Sequence, residues 1–287
     1  VIELNELLRK IGVDPAKTVV MRHRPTAPDL MRALTWFAEE EPEVYNAYQS
    51  THGERVEGAL SRAAHLVSLL GYEPGKALFV GVYRVDGWRE TTGEEWRKLE
   101  TSKRLMELGD RGTRDGSIRL FNLILTDQLA AWKGRLVIEW PPPERSWWRW
   151  AARNRMPVSA IHEESILVRQ IPAWNELVLT WAQLRALPRS WRAALAQWRG
   201  VYLILDRASG KSYVGSAYGE DNLLARWLSY ATTGHGGNVD LKGRDPANFR
   251  FSILQLVAPD LLADEVIRIE GTWKDRLGTR EFGLNKN

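Results

Sequence analysis

The 287-residue chain is 44% apolar and 26% charged, a soluble globular composition with room for two domains. It holds no cysteine, which excludes disulfides, thiol nucleophiles and cysteine-ligated zinc. The net charge of +4 is unevenly placed: 29 basic and 25 acidic residues precede Gly200, while 11 of each follow from there on.

Twelve of the 14 tryptophans also precede Gly200, so a nucleic-acid partner would be held mainly by the first two-thirds of the chain. No apolar run approaches the ~20 residues that cross a bilayer. The start, VIELNELLRK, lacks the pattern of an export leader, and a cytoplasmic location is expected.

Residues 1–75 are expected to be a helical segment. LNELLRKIG carries leucines at helical spacing before a glycine stop and the Asp14-Pro15 break. Further helices are expected over 29–40, ended by Pro42, and over 54–70, ended by Gly71. From Lys76 the rhythm changes to KALFVGVYRV, RLFNLILTD, GRLVIEWP and SILVRQI. These short β-rich runs predict a small, strongly bent sheet or barrel within a domain spanning 76–199.

Pro141-Pro142-Pro143 marks a stiff loop. The run WPPPERSWWRWAARNR interleaves Trp140, Trp147, Trp148 and Trp150 with Arg145, Arg149, Arg153 and Arg155. Guanidinium groups suit phosphates and indoles suit bases, so these are candidate nucleic-acid-binding residues, with core packing as the ordinary alternative for each tryptophan. IHEES at 161–165 has one histidine and makes no zinc site. A helical segment over 174–199, rich in Trp and Arg, leads to a domain boundary at Gly200.

GVYLILDRASGKSYVGS, 200–216, reads as a hairpin. With a four-residue turn at Arg207–Gly210, Asp206 pairs with Lys211 and Ile204 with Tyr213, which puts Tyr202 and Tyr213 on one face. A helix over 220–232 follows, with Asp221 as N-cap and Leu224, Trp227 and Leu228 as its buried stripe. Arg226 and Tyr230 lie one turn apart on it. GHGGN, 234–238, is a loop with His235 among glycines. A last helix over 259–277 presents Leu262, Val266, Ile269, Trp273 and Leu277 as its apolar face, with Glu270 at the edge. Such a carboxylate must be paired, neutralised or bound to a cation.

The ordered set from Gly200 to Asn285 resembles the GIY-YIG nuclease superfamily. GVY at 200–202 and YVG at 213–215 stand for its two named elements, followed by Arg226, Tyr230, Glu270 and Asn285. An earlier GVY at 81–83 lacks a YVG partner and is expected to be a plain strand. The resemblance implies an α+β fold with an antiparallel sheet flanked by helices, over 200–287. It also implies metal-dependent hydrolysis of a phosphodiester bond. Glu270 would hold one Mg²⁺ or Mn²⁺ per site, and Arg226 would stabilise charge on the phosphate.

In this scheme Tyr202 acts as base or positions the water, and Tyr213 orients water and phosphate. A phenol needs a cationic neighbour to act as a base, and Lys211 and His235 are candidates for that help. Asn285 would donate to phosphate or fix a ligand. Each has an ordinary reading too: strand aromatics, a surface-paired arginine, an exposed helix glutamate, a solvated turn lysine, a loop histidine, a terminal cap.

The strands over 76–171 loosely resemble the PUA-like group, with its EVE domains, which implies a reader of modified bases. The expected whole is a DNA endonuclease with an N-terminal DNA-reading part, acting on double-stranded DNA in restriction or defence, with a homodimer as one route to double-strand breaks. The alternatives are a nucleic-acid-binding protein with an inactive nuclease-like domain and a structure-specific repair nuclease.

Overall fold

Two apolar runs inside the first 75 residues, TVVMRH and HLVSLLG, form neighbouring parallel strands rather than helices. In the computed structural model, which describes residues 1–218 and 222–286, the chain divides into two units, Val1–Val168 and Arg169–Asn287. The segment 169–199 therefore packs with the C-terminal unit, 31 residues ahead of the boundary expected from sequence.

The first unit runs α1 (Leu4–Lys10), β1 (Thr18–His23), α2 (Pro28–Glu40), α3 (Pro42–Gln49), α4 (Glu54–Leu60), β2 (His65–Gly71), β3 (Lys76–Thr92), α5 (Gly93–Lys98), α6 (Glu100–Glu107), β4 (Ser117–Leu125), β5 (Leu136–Glu139), β6 (Trp148–Trp150) and β7 (Val158–Ile161). The strand path is β6-β1-β2-β3-β5-β7, with β4 also on β3. Only β1 and β2 are parallel. The long β3 pairs with three strands, and register shifts at Ser68/Leu69 and Val85/Trp88 let the sheet curl.

The sequence misplaces three parts of this unit. β1 is buried at every position, so it shows no alternation to mark it as a strand. The helix expected over 54–70 ends at Leu60, and its second half is β2. SILVRQI forms no strand: the Ile166 N–H bonds the Gly134 carbonyl and Leu167 is buried in a loop. The GVY at 81–83 lies inside β3, opposite Leu66–Ser68, as a plain strand should.

Leu4, Leu8, Val20, Val67, Phe79, Ile138 and Trp140 belong to one core cluster. Beside β1 and β2 runs a buried polar chain. Tyr45 Oη meets Ser68 Oγ at 2.7 Å, Ser68 Oγ donates to Gln49 Oε1 at 2.8 Å, and that oxygen lies 3.3 Å from His23 Nε2.

The second unit runs β8 (Val178–Thr180), α7 (Trp181–Arg185), α8 (Arg189–Gln197), β9 (Arg199–Asp206), β10 (Ser212–Ala217), α9 (Leu223–Thr233), β11 (Phe249–Val257) and α10 (Ala263–Arg276). Its sheet is antiparallel throughout, in the order β10-β9-β11-β8. On one face α9 lays Trp227 and Tyr230 against Phe251 of β11. α10 packs on β9 and β10.

Helix details differ from expectation. Asp221 lies outside the described residues; the N-cap of α9 is Asn222, whose Oδ1 accepts from Ala225 N–H at 2.9 Å. Its buried stripe is Leu223, Trp227, Tyr230 and Ala231, so Leu223 replaces the expected Leu224. α10 is shorter than expected, and of its expected apolar face only Val266 is fully buried. Leu262 and Leu277 are exposed, and Lys274 is the second buried side chain.

Candidate active site

The β9–β10 hairpin has the register read from sequence: Tyr213 opposes Ile204, and Gly215 opposes Tyr202. Asp206 holds its turn. Its N–H donates to the Lys211 carbonyl at 2.9 Å, and its carboxylate accepts from Ala208 N, Ser209 Oγ and Arg244 Nη1. Tyr202 and Tyr213 thus leave the sheet on the face covered by α9.

Glycine at 215 is what lets the two phenols coexist. A Cβ there would lie 2.6 Å from Tyr202 Oη and 2.9 Å from Tyr213 Cε1, inside contact distance of both. Tyr202 is fully buried, with Trp227 edge-on at 6.2 Å. Its hydroxyl lies 3.0 Å from Tyr230 Oη and accepts from Arg226 Nε at 3.4 Å. Arg226 in turn sits 5.8 Å from the centre of the Tyr230 ring. Tyr213 is half-buried and tilts against Tyr230 at 6.3 Å.

Burial raises the Tyr202 phenol well above its ordinary pKa; Tyr213 adds to this, while the contacts with Tyr230 and Arg226 oppose it. Tyr230 is raised as well, by burial first and then by the two neighbouring phenols. The net shift is upward and keeps Tyr202 protonated at neutral pH. Its cationic neighbour is Arg226, not the expected Lys211 or His235.

Lys211 is exposed in the turn, and among the described residues no hydrogen bond or ion pair joins it to the tyrosines. His235 turns inward on its own loop, with Nδ1 accepting from Gly237 N–H at 2.9 Å. The glycines of that loop serve close approach, but to Tyr230: a Cβ on Gly236, at φ +54°, would lie 2.5 Å from its ring. Asn285 is buried and uses both amide atoms on Val214. Its Oδ1 accepts from Val214 N–H and its Nδ2 donates to the Val214 carbonyl, each at 2.8 Å. It therefore fixes β10 rather than facing a ligand.

Glu270 is brought to the same strand but from the other side. Its Oε2 accepts from Ser216 Oγ, and its Oε1 lies 2.7 Å from Lys274 Nζ. Alternation points Ser216 away from the Tyr213 face. β10 is an edge strand of its sheet. Sequence reasoning missed Ser216 and Lys274, although Lys274 stands four residues after Glu270, the spacing of a helical ion pair.

Among the described residues no three His, Cys, Asp or Glu side chains gather as a metal site. A single carboxylate still fits a Mg²⁺ ion that keeps its waters and takes further oxygens from a phosphate, provided the ion competes with Lys274 for Glu270.

The aromatic and basic run in the first unit is divided by the fold. Trp148, Arg149 and Trp150 form β6 on β1, and Arg149 spends its guanidinium on Asn154 Oδ1 and the Pro141 and Pro143 carbonyls. Trp140 is core. Arg155 is exposed and pairs with Glu3, and Arg153 is exposed. Trp147 and Arg145 line a cavity.

No family model matches the chain, and no curated protein does. Among solved structures it is similar to the catalytic domain of the homing endonuclease I-TevI, at 26% identity and TM-score 0.26, covering 30% of this chain and 96% of that one. A mutant of the catalytic domain of the intron endonuclease I-TevI is similar at 23% identity and TM-score 0.27, covering 32% and 95%. Both likenesses are partial and weak, and the chemistry rests on the residues themselves. No helix among the described residues is long and apolar enough to cross a membrane.

Proposed function

We propose that the C-terminal unit is a nuclease that hydrolyses phosphodiester bonds in DNA, and that the N-terminal unit holds the DNA. The observation that carries this reading is the Tyr202 hydroxyl, buried between Tyr230 Oη and Arg226 Nε on a hairpin that also presents Tyr213. Arg226 binds the scissile phosphate, since a planar guanidinium suits two oxygens. Tyr213, at the accessible edge, orients the attacking water. Tyr202, kept protonated, aligns the phosphate and takes part in proton transfer once charge arrives beside it.

Glu270 would hold a divalent cation, which polarises the phosphate and stabilises the leaving oxygen when bound. Within this reading, restriction of modified DNA in defence suits a reader joined to a cutter, by analogy alone.

Plasmid, phage-modified and single-stranded DNA incubated with Mg²⁺, and with chelator in its place, test it. Cutting is expected that is lost with chelator, in Glu270→Ala and in Tyr202→Phe. Cutting that persists in both variants overturns the assignment. A second reading, a DNA-binding protein whose nuclease-like unit is inactive, is favoured by the engagement of both Glu270 oxygens by Ser216 and Lys274. It predicts salt-sensitive binding without cutting on any substrate.

A further inference from the structure

Val266, Glu270 and Lys274 recur at four-residue steps and form one line along α10. Val266 is fully buried and Lys274 is 4% exposed, so the line faces inward, onto the strands β9 and β10 against which α10 packs. Such a line on an amphipathic helix is ordinarily apolar. Here two of its three positions carry opposite charges, with Lys274 Nζ 2.7 Å from Glu270 Oε1. Apolar residues of similar volume in place of a buried ion pair are often neutral or stabilising, so packing alone does not account for it.

The strand opposite meets this line with a hydroxyl. β10 alternates, so Val214 and Ser216 share the face turned to α10, while Tyr213 and Gly215 share the face turned to α9. Ser216 Oγ donates to Glu270 Oε2. The carboxylate is thus held at both oxygens by donors of different kinds, a neutral hydroxyl from the strand and an ammonium from its own helix. The Glu270 side chain keeps 15% of its surface open, so an ion can reach it.

The Ser216 backbone is itself fixed. On the edge of β10 that β9 does not use, the Leu284 N–H donates to the Ser212 carbonyl at 2.8 Å, and Asn285 takes both backbone groups of Val214. On the other edge Ser216 stands opposite Val201, which is fully buried. The hydroxyl therefore carries the fixed position of a strand over to a side chain on another element.

The two donors respond differently to a divalent cation. Two positive charges compete for Oε1, so Lys274 gives way as an ion binds. Ser216 is neutral, and a carboxylate oxygen that accepts from a hydroxyl still has a lone pair open. Ser216 can therefore keep Oε2 throughout. A ligating carboxylate held by such a hydrogen bond is already oriented when the ion arrives, and loses less side-chain freedom on binding it.

We propose that Ser216 is a positioning residue for the cation: its hydroxyl fixes Glu270 in the orientation that a divalent ion takes up, and stays in place while Lys274 yields. This rests on the reading of Glu270 as the metal carboxylate. Ser216 acts through Glu270, not on the phosphate.

The test uses the full chain without DNA and Mn²⁺ as the probe, the free ion being counted by its electron paramagnetic resonance signal. Ser216→Ala should raise the Mn²⁺ dissociation constant by about 10- to 100-fold, the usual effect of removing a hydrogen bond to a metal-ligating side chain. Ser216→Thr keeps the hydroxyl, suits a strand and should restore most of the affinity. With plasmid present, the Mn²⁺ concentration for half-maximal cutting should move by the same factor in Ser216→Ala, and excess Mn²⁺ should recover the lost rate. A residue that only packs would lower the melting temperature without moving either Mn²⁺ value.

Glu270→Gln separates this proposal from the reading beneath it. If that variant binds Mn²⁺ as the parent does, Glu270 is no ligand and both fall. If it loses the ion while Ser216→Ala binds as tightly as the parent, the reading stands and the role of Ser216 alone is overturned. The role is overturned equally if Ser216→Thr binds as weakly as Ser216→Ala, since the hydroxyl would then not be the operative group.

Discussion

Lys274 Nζ lies 2.7 Å from Glu270 Oε1, one turn back along α10, with side chains 5% and 15% exposed. A buried ammonium thus already occupies one oxygen of the carboxylate assigned to the metal. Lys274→Met leaves Glu270 with Ser216 alone. Unfolding free energy is expected to fall by ~3 kcal/mol, the low end for breaking a buried pair, because Glu270 retains some water. Mg²⁺ should then raise the Tm of the variant more than that of the parent, since the competing cation is gone. Melts with and without Mg²⁺ measure both effects, and an equal Mg²⁺ shift would remove Glu270 as its ligand.

Gly215→Ala places a methyl group against both phenols. The expected cost is ~1–3 kcal/mol of stability through overpacking. Cutting should be lost almost completely, because Tyr202 and Tyr213 must both move. Denaturant unfolding alongside plasmid cleavage separates the two, and a variant that cuts at the parent rate would show that the phenols need not hold this geometry.

Tyr202→Phe leaves Tyr230 Oη buried without its 3.0 Å partner. A stability loss of ~0.5–1.5 kcal/mol, the net worth of one hydrogen bond, is expected, because Tyr213 remains a partner of that hydroxyl. The cleavage rate should fall by about 10²–10⁴, the usual worth of a group in proton transfer. Tyr230→Phe removes the same hydrogen bond but keeps the Arg226 contact, so its stability loss should match while most cleavage survives. Single-turnover rates for the two variants decide between a chemical and a packing role for Tyr202.

His23 predicts acid sensitivity. Burial, then the neighbouring His52, lowers its folded pKa to about 3, while the unfolded ring titrates near 6.5. Between those values the unfolded chain binds the proton and the folded chain does not, so stability falls as pH drops below 6.5. At pH 5 the loss from this ring is ~2 kcal/mol, with His52 adding to it. Urea unfolding at pH 7 and pH 5 measures the slope, which His23→Gln should reduce. The aromatic rings of Tyr45, Tyr48 and Trp147 face His23, and burial raises both phenols still further above this pH range.

The hairpin was legible in the sequence because its information is local. A turn between two alternating strands fixes register, and register alone puts Tyr202 and Tyr213 on one face. Arg226 and Tyr230 followed from helical spacing in the same way. β1 and β2 were not legible, because a strand buried on both faces looks like any other apolar run. The division at Arg169 was hidden too, since β8 is three residues long and gains its meaning only by pairing with β11.

The sequence by itself determined the chemical inventory of the C-terminal unit: two tyrosines, an arginine, a glutamate and an asparagine in order, on elements set by short-range periodicity. Only the tertiary structure decided their partners. Lys274 and Ser216 reach Glu270, Arg226 reaches Tyr202, and Asn285 clasps the backbone of Val214. The cavity beside Trp147 was likewise unreadable, since its wall gathers residues from 22 to 147. Contacts between distant segments depend on how helices and strands pack, and no local pattern encodes which side chain a buried charge or an unmet hydrogen bond will face.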